Sequence, residues 1–352
     1  MTQWQEKELE AGRIHAAAFP DMQEEKRRAR LGLASVFNCD ARDVAMTHCT
    51  TEGINIVLSG MSWQPGDEII TSSTEHPGIL HPVYQLHQRY GVRIRLTEIG
   101  KPGVDDVAAL KAAITPRTRA VALSHVSWST GVVLPLSQLI EVTHSVGALF
   151  LCDGAQSGGM IPLNVRELDV DAYAISGQKW LCGPEGTGGL YVRPDRIGEI
   201  QPSYMGYFSV RSGMSDYDGN YVPSQGALRY EATTLNPATV AGLRASLDWL
   251  SLDVGWQWAH ARIARLGRLC HDALSPLPGV KVLTPREAMA GLVHFTIRGA
   301  PAPEAVKALD SGGILVRAIP STDLIRASVG FYTLESEIAL LAERVGALVA
   351  NQ

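Results

Sequence analysis

The chain has 352 residues, of which 45% are hydrophobic and 19% charged, a balance typical of a globular protein of about two domains. Its formal net charge of -5 offers no basic surface to nucleic acid, and no segment reaches the ~18 to 20 apolar residues that span a bilayer. Five cysteines without a CxxC pair indicate neither a disulfide framework nor a zinc site. We therefore expect a cytoplasmic protein without nucleic-acid, membrane or metal partners.

Secondary-structure signals alternate along the first part of the chain. Helical spacing covers 5–37, and further helices are predicted from Thr50 and at 80–90, 105–113 and 136–145. Short apolar runs between them predict strands at 43–47, 68–71, 92–97, 120–124, 148–152, 172–175 and 188–192. This alternation predicts an α/β fold with a mostly parallel sheet that helices cover on both faces.

The rest of the chain has a different character. Residues 203–225 are rich in Gly, Ser, Tyr and Asp and predict a long surface loop or flap. Beyond it a smaller α+β pattern is predicted, with helices at 239–252 and 335–349 and strands at 279–283, 292–297, 314–317 and 325–329. We divide the chain into an N-terminal helical segment (1–30), a large domain (31–235) and a small C-terminal domain (236–352).

Two predicted strands of the large domain end near residues suited to cofactor chemistry. Asp153 follows one strand and Lys179 comes shortly after the next, so both can point into one crevice at the sheet edge. This pairing suits pyridoxal phosphate (PLP), because a lysine amine forms a Schiff base with it and a carboxylate keeps its pyridine nitrogen protonated. Taken singly, a lysine is more often a surface charge, and an aspartate at a strand end a turn or cap residue.

Five motifs give these two residues a context. They are Thr50-Thr51-Glu52-Gly53-Ile54-Asn55, Glu75-His76-Pro77-Gly78-Ile79, Ser124-His125-Val126-Ser127, Asp153-Gly154-Ala155-Gln156-Ser157 and Ser176-Gly177-Gln178-Lys179-Trp180. In this order they resemble the class V aminotransferase family of fold type I PLP enzymes, from about Gly12 to the C-terminus. The resemblance implies a large domain with a mostly parallel seven-stranded-type sheet, a smaller α+β domain and a homodimer.

Within that family, several segments most resemble the L-cysteine/cystine carbon-sulfur lyases, namely 75–79, 128–131, 229–234, 290–296 and 316–319. This implies β-elimination from cystine, cysteine or a related S-conjugated amino acid, giving pyruvate, ammonia and a persulfide, sulfide or thiol. Aminotransferase and isopenicillin N epimerase-like chemistry stay open, because each begins with loss of the Cα proton. A cysteine desulfurase would need a cysteine in the loop at 318–325, which has none. A non-catalytic PLP-binding module is the remaining alternative.

Position by position, the resemblance also assigns the cofactor contacts. Lys179 holds PLP as a Schiff base, Asp153 faces the pyridine nitrogen, Gln156 contacts the phenolic oxygen and His76 stacks on the ring. Lys179, His76 and Asp153 are thus the expected catalytic residues. The phosphate contacts are Thr51, Glu52 at the same helix start, Ser176, Gln178 and, from a partner subunit, Thr234. Gln178 stands where relatives more often have His, and an amide adds no positive charge.

The substrate contacts follow from the same resemblance. Arg317 and Arg326 lie in adjacent predicted strands of the small domain, where similar enzymes bind an amino-acid carboxylate by a two-pronged contact. Arg229 and Trp128 are further candidates. The expected partner is therefore a small amino-acid substrate.

Overall fold

The computed structural model describes residues 1–232 and 234–350, with the backbone alone at 212–214, and its largest feature is a seven-stranded sheet. Its strands are β1 (Val44–Thr47), β2 (Glu68–Ser72), β3 (Arg93–Thr97), β4 (Thr118–Ser124), β5 (Leu149–Asp153), β6 (Ala172–Ser176) and β7 (Gly188–Val192). Their order across the sheet is β1-β7-β6-β5-β4-β2-β3. Strands β2 to β6 pair in parallel, whereas β7 is antiparallel to both of its neighbours. The predicted mostly parallel sheet is confirmed.

Burial explains why these segments form strands. Every residue of β5 and β6 is buried, as expected for central parallel strands covered on both faces. Successive side chains of β5 enter different cores, Phe150 on one face and Leu151 on the other. At the edge of the sheet, β3 instead carries the exposed Arg93, and charge on an open edge discourages pairing with another chain.

Helices cover both faces of this sheet, as predicted. One core includes the helical residues Leu33 and Leu243, and the other includes the helical residues Ile54 and Ile79. The helices are α1 (Thr2–Ala11), α2 (Ala18–Phe37), α3 (Thr50–Gly60), α4 (Pro77–Tyr90), α5 (Asp106–Ala113), α6 (Leu136–His144), α7 (Val165–Leu168) and α8 (Pro237–Trp249).

The single helix predicted over 5–37 is wrong. Gly12 ends α1 with a φ of 79°, a left-handed conformation that glycine adopts without steric cost. The chain then turns before α2 starts at Ala18. Helical spacing on both sides of the break hid it in the sequence.

A second, four-stranded antiparallel sheet forms near the C-terminus, in the order β10-β11-β13-β12. Its strands are β10 (Val280–Val282), β11 (Leu292–Ile297), β12 (Arg317–Ala318) and β13 (Ile325–Ser328), accompanied by α9 (Trp256–Leu274), α10 (Ala302–Ser311) and α11 (Glu335–Ala350). It has a core of its own, with Leu266, Phe295 and Leu341. The strand predicted at 314–317 starts late, because the Ile314 N–H bonds the Leu309 carbonyl at the end of α10.

The predicted flap is not all loop. It contains a hairpin of β8 (Val210–Ser215) and β9 (Tyr221–Pro223), whose turn is held by Asp216 accepting the backbone N–H groups of Asp218 and Asn220.

Across the described ranges, every helix falls short of the length and apolar character that a bilayer span demands. The division into 1–30, 31–235 and 236–352 stays a prediction, and α8, just past the second boundary, packs on α2.

Candidate active site

The carboxyl ends of β5 and β6 lie side by side. Asp153 ends β5 and pairs in register with Ala174 of β6, while β6 ends at Ser176 and leads into the turn that carries Lys179. Parallel strands end at the same edge of a sheet, which is where open α/β sheets bind ligands. The structure brings Asp153 and Lys179 together in one cavity at this edge.

Asp153 is buried at the base of the cavity. Its Oδ1 accepts a hydrogen bond from the backbone N–H of Ala155 at 2.8 Å. Burial raises the pKa of Asp153, although the Ala155 N–H and the nearby Lys179 cation both act to lower it. A buried carboxylate is costly unless a cation or donor pairs with it, and a protonated pyridine nitrogen would be such a partner.

Lys179 is open to the cavity, yet the surrounding protein still desolvates its amine. This desolvation lowers the pKa of Lys179, and the cations Arg326 and Arg317 lower it further, against the opposing effect of Asp153. A larger fraction of the amine is therefore unprotonated near neutral pH. An unprotonated amine is the form that attacks an aldehyde or removes a proton.

His76 caps the N-terminus of α4 and faces the same cavity. Its Nδ1 accepts the Gly78 N–H at 2.9 Å, so any ring proton lies on Nε2. Desolvation and the charge of Lys179 lower the pKa of His76, which favours the neutral ring. The indole of Trp128 meets His76 edge to face, with the ring centroids 4.9 Å apart. The two rings provide an aromatic wall for a planar ligand.

Glu75 and Ser124 form a buried pair behind this wall. The Glu75 carboxyl accepts the Ser124 backbone N–H at 2.8 Å and contacts the Ser124 hydroxyl through its other oxygen. Burial raises the pKa of Glu75 to about 8, and the charge of Asp153 adds to the rise. Glu75 is therefore mainly protonated at pH 7, and it ties the end of β4 to the residue that precedes His76.

The N-terminus of α3 forms the other end of the cavity. The hydroxyls of Thr50 and Ser176 lie 2.7 Å apart, and Thr51 also lines the cavity. Backbone N–H groups in the first turn of a helix favour an anion such as a phosphate. Gln178 lies here too, and its buried Oε1 has no hydrogen-bond partner among the described residues. That oxygen is an acceptor and does not itself attract an anion, so the first turn of α3 and the Ser176 hydroxyl are the groups here that suit an anionic ligand.

The small sheet contributes two arginines to the cavity. Arg317 and Arg326 are register partners across β12 and β13. Burial, together with the charge of Arg317, lowers the pKa of Arg326 to about 10. Within the described residues, the buried Nε of Arg326 has no partner, so this guanidinium has spare capacity for a carboxylate.

The carbonyl of Trp128 joins the two sheets. It accepts hydrogen bonds from His294 Nε2 at 3.0 Å and from Arg326 Nη1 at 3.3 Å. His294 is fully buried, and its burial lowers its pKa to about 3, so the ring is neutral. The small sheet therefore positions the loop that carries Trp128.

Most of the residues expected from the sequence share this one cavity. Its lining includes Thr51, His76, Trp128, Asp153, Gln156, Ser176, Gln178, Lys179, Arg317 and Arg326. They come from both sheets, from two helix N-termini and from the loops between them. An aromatic wall, an anion-binding end, an amine and a buried carboxylate together fit PLP, and the arginines fit the carboxylate of an amino acid.

Three expected residues lie outside the cavity lining. The Glu52 carboxylate turns back to the His48 backbone N–H and its ring. Arg229 lies in a short 3-10 helix at Gly226–Tyr230, and Thr234 is exposed ahead of α8. Their predicted roles stay predictions.

The sequence analysis missed other residues that the structure places at the site. Cys49 and Thr50 line the cavity, and Ala155 supplies the N–H that Asp153 accepts. Cys49 directly precedes the Thr50-Thr51-Glu52 motif, and this adjacency was the signal available. His294 lies in the lyase-like segment 290–296, but its partner Trp128 is 166 residues away along the chain, so the sequence did not show that the two residues meet. The described ranges contain no group of three or more His, Cys, Asp or Glu side chains arranged to hold a metal ion.

Comparison with known proteins places this site in a family. The chain is 32% identical to the cysteine desulfurase CsdA of Escherichia coli (strain K12), over 96% of this chain and 87% of CsdA. It is 31% identical to a probable cysteine desulfurase of Methanothermobacter thermautotrophicus, over 90% of this chain and 82% of that protein. Similarity to these proteins thus extends over nearly the whole chain.

Solved structures show the same relationship. The fold matches the cystine C-S lyase C-DES in complex with its reaction product cysteine persulfide, with a TM-score of 0.92, 34% identity, and coverage of 98% of this chain and 92% of that chain. A C-DES variant with glycine covalently linked to its PLP cofactor has the same TM-score of 0.92. The family described as aminotransferase class-V matches residues 11–341. The chain therefore belongs to the class V aminotransferase family.

Proposed function

We propose that this chain is a PLP-dependent carbon-sulfur lyase. It acts by β-elimination on cystine, cysteine or a related S-conjugated amino acid, and it releases pyruvate, ammonia and a persulfide, sulfide or thiol. The observation that carries the proposal is the cavity in which Lys179, Asp153, Arg317 and Arg326 converge. The 34% identity to the cystine C-S lyase C-DES, over 98% of this chain, supports this reaction.

Lys179 has two tasks in this reaction, and Asp153 has one. PLP supplies, when bound, an aldehyde that links to amines and a protonated ring that withdraws electrons from Cα. Lys179 anchors the cofactor, and its amine then removes the Cα proton of the substrate, a role that its lowered pKa suits. Asp153 would keep the ring nitrogen of bound PLP protonated. The Cβ–S bond of the substrate breaks as a Cα–Cβ double bond forms, and water then hydrolyses the released enamine to pyruvate and ammonia.

Binding groups flank this centre. The first turn of α3, Ser176 and Gln178 would hold the phosphate of bound PLP, and His76 would lie against its ring. Arg317 and Arg326 bind the substrate carboxylate, and Trp128 closes the space beside them. A small amino acid is thereby oriented with Cα toward Lys179.

A cysteine desulfurase is the second candidate. The curated relatives bear that name, and Cys49 is the single cysteine among the described residues that line the cavity. A desulfurase would transfer sulfur to this thiol and release alanine. The loop at 318–325, by contrast, contains no cysteine.

Product analysis tests the proposal. The purified protein is incubated with PLP and with cystine or cysteine, and pyruvate, alanine, keto acids and D-amino acids are quantified. We expect pyruvate and ammonia in equal amounts, with pyruvate formation retained in a Cys49→Ser variant. Alanine formation that disappears in Cys49→Ser would instead establish a desulfurase. A keto acid other than pyruvate would indicate an aminotransferase, and D-amino acid an epimerase.

We also propose that the protein is a homodimer in the cytoplasm. Tyr204, Tyr207 and Tyr221 of the flap are exposed, and tyrosine is enriched at protein–protein interfaces. A shallow groove lined by His81 and Gln85 shares Thr51 and His76 with the cavity, so a partner seated there would border the site. Each of the five cysteines is free, which suits a reducing compartment.

A further inference from the structure

Trp180, the residue next to Lys179 in the chain, contacts Gln156 of the cavity lining. The indole Nε1 of Trp180 donates a hydrogen bond to Oε1 of Gln156 at 3.0 Å. An indole N–H is a donor and never an acceptor. The Gln156 atom that meets Trp180 must therefore be its carbonyl oxygen, which resolves the orientation of an amide whose two ends look alike.

This orientation decides what Gln156 presents to the cavity. With Oε1 occupied by Trp180, the NH2 group is the part of the amide left to meet a ligand, and within the described residues it has no hydrogen-bond partner. An NH2 group attracts an anionic oxygen, whereas a flipped amide would oppose it with a carbonyl. Trp180 thus determines whether Gln156 attracts or repels an anionic oxygen of a ligand.

Packing holds the indole in place. Trp180 packs against a hydrophobic cluster that includes Met160, Ile263 of α9 and Leu292 of β11. A Cβ added to Gly291 would lie 2.8 Å from Cη2 of the indole, so the backbone of the small sheet abuts the ring directly. The indole cannot rotate without moving these neighbours.

We propose that Trp180 is a positioning residue that orients Gln156 as a hydrogen-bond donor to the phenolic oxygen of PLP. This inference rests on the proposed PLP-dependent function. The phenolic oxygen carries negative charge near neutral pH, and a fixed N–H donor beside it stabilises that charge. Without the indole the amide rotates freely, and part of the population presents its oxygen.

The test measures cofactor binding and its spectrum, both independent of turnover. Trp180→Phe keeps a ring in the packed position but removes the N–H group. We expect its Kd for PLP to rise about three- to tenfold, the range for one lost hydrogen bond. The pH midpoint at which the absorbance of bound PLP changes should rise. With a weaker hydrogen bond to the phenolic oxygen, the negative charge on that oxygen is less stable, and the proton beside it is released only at higher pH.

Two further variants separate positioning from general damage. Trp4→Phe removes an indole hydrogen bond to the Glu8 carboxylate in α1, away from the cavity, and should leave PLP binding unchanged. In a Gln156→Ala background, Trp180→Phe should have no additional effect on Kd or on the pH midpoint. Comparison of thermal unfolding among these proteins identifies any loss of folding.

Each outcome has a definite meaning. An unchanged Kd for PLP and an unchanged pH midpoint in Trp180→Phe would overturn the inference. It would also be overturned if Trp180→Phe weakened PLP binding equally in the Gln156→Ala background, because Trp180 would then act without Gln156. Wild-type protein that binds PLP but forms no pyruvate would overturn the lyase proposal, while the variant spectra still decide the role of Trp180. Wild-type protein that binds no PLP would overturn both.

Discussion

Lys179 and Asp153 have pKa values shifted in opposite directions by the same cause. Burial disfavours both charged forms, lowering the pKa of Lys179 and raising that of Asp153, and each charge partly offsets the shift of the other. The cavity therefore holds an amine of reduced basicity and a carboxyl group whose charge the Ala155 N–H and Lys179 offset only in part. Such pairs are typical of sites that bind a charged cofactor.

Replacing Lys179 tests the role of the amine. In Lys179→Ala we expect the absorbance band of covalently held PLP to disappear and pyruvate formation to fall by at least about a hundredfold, the scale of a lost catalytic base. In the cofactor-free protein the unfolding midpoint should not fall, because the Lys179 side chain is exposed to the cavity and is not packed in a core. Lys111→Ala, in the exposed part of α5, should leave spectrum and activity intact. Turnover retained in Lys179→Ala would contradict the assignment.

Glu75 predicts a pH dependence of stability. Its pKa is about 8 in the folded protein and 4.5 ordinarily, so the folded protein keeps a proton that the unfolded chain releases. The contribution of Glu75 to the free energy of unfolding is complete below pH 4.5 and declines until the pH passes about 8. Glu75→Gln is neutral at every pH, so its stability should fall less steeply across this window in urea unfolding.

The matched control is Glu141→Gln, on an exposed position of α6. Its stability should follow the wild-type curve across the same pH range. If the curves for wild type and Glu75→Gln ran parallel, Glu75 would not be the group responsible.

Among the elements, α3 depends on a close contact with the sheet. A Cβ on Gly53 would lie 2.8 Å from the Cβ of Ala174 in β6, so glycine allows the helix to approach the strand. This approach lets the Thr50 and Ser176 hydroxyls meet across the two elements. The anion-binding end of the cavity is therefore a product of helix and strand packing.

Substituting Gly53→Val should separate α3 from β6. We expect a loss of about 1–3 kcal/mol in the free energy of unfolding, typical of overpacking a dense core, together with severalfold weaker PLP binding. Denaturant unfolding and PLP titration measure the two effects. Gly198→Val is the control, since a Cβ there meets no atom within 4 Å. If a Gly53→Val protein that still folds had normal PLP affinity, the contact of α3 with β6 would not be needed for the anion-binding end of the cavity.

At the scale of the whole molecule, the cavity is assembled from both sheets. The large sheet supplies Asp153 and the turn of Lys179, while the small sheet supplies Arg317 and Arg326. Cofactor and substrate ends thus belong to different structural units that meet at the loop of Trp128. A change in how the two sheets sit would alter substrate binding more than cofactor binding.

The proposed homodimer leads to a test at this scale. The double variant Tyr204→Glu and Tyr207→Glu places charge on two side chains that are each 75% exposed in the single chain. Light scattering should show a dimer for wild type and a monomer for the variant, because burying two carboxylates in an interface is costly. Leu252→Glu, at an 80% exposed position outside the flap, should remain dimeric. A wild-type monomer would exclude the proposal.

Prediction from sequence was accurate where the signals are local. The alternation of apolar runs and amphipathic segments predicted the strands of the large sheet to within one or two residues, because each run of buried residues is continuous in the chain. It failed at Gly12 and in the flap, where a helix break and a hairpin have weak local patterns. It also overlooked Cys49, which precedes a recognised motif.

By itself the sequence determined the α/β class, the ordered motifs of the class V aminotransferase family and the lysine and aspartate at neighbouring strand ends. Tertiary structure alone decided which residues share the cavity, since Arg326 reaches the Trp128 carbonyl across 198 residues and Trp180 reaches Gln156 across 24. It also left Glu52, Arg229 and Thr234 outside the cavity lining. The reason is physical: local patterns encode burial and helix starts, whereas hydrogen bonds and pKa shifts depend on contacts that only the packed chain creates.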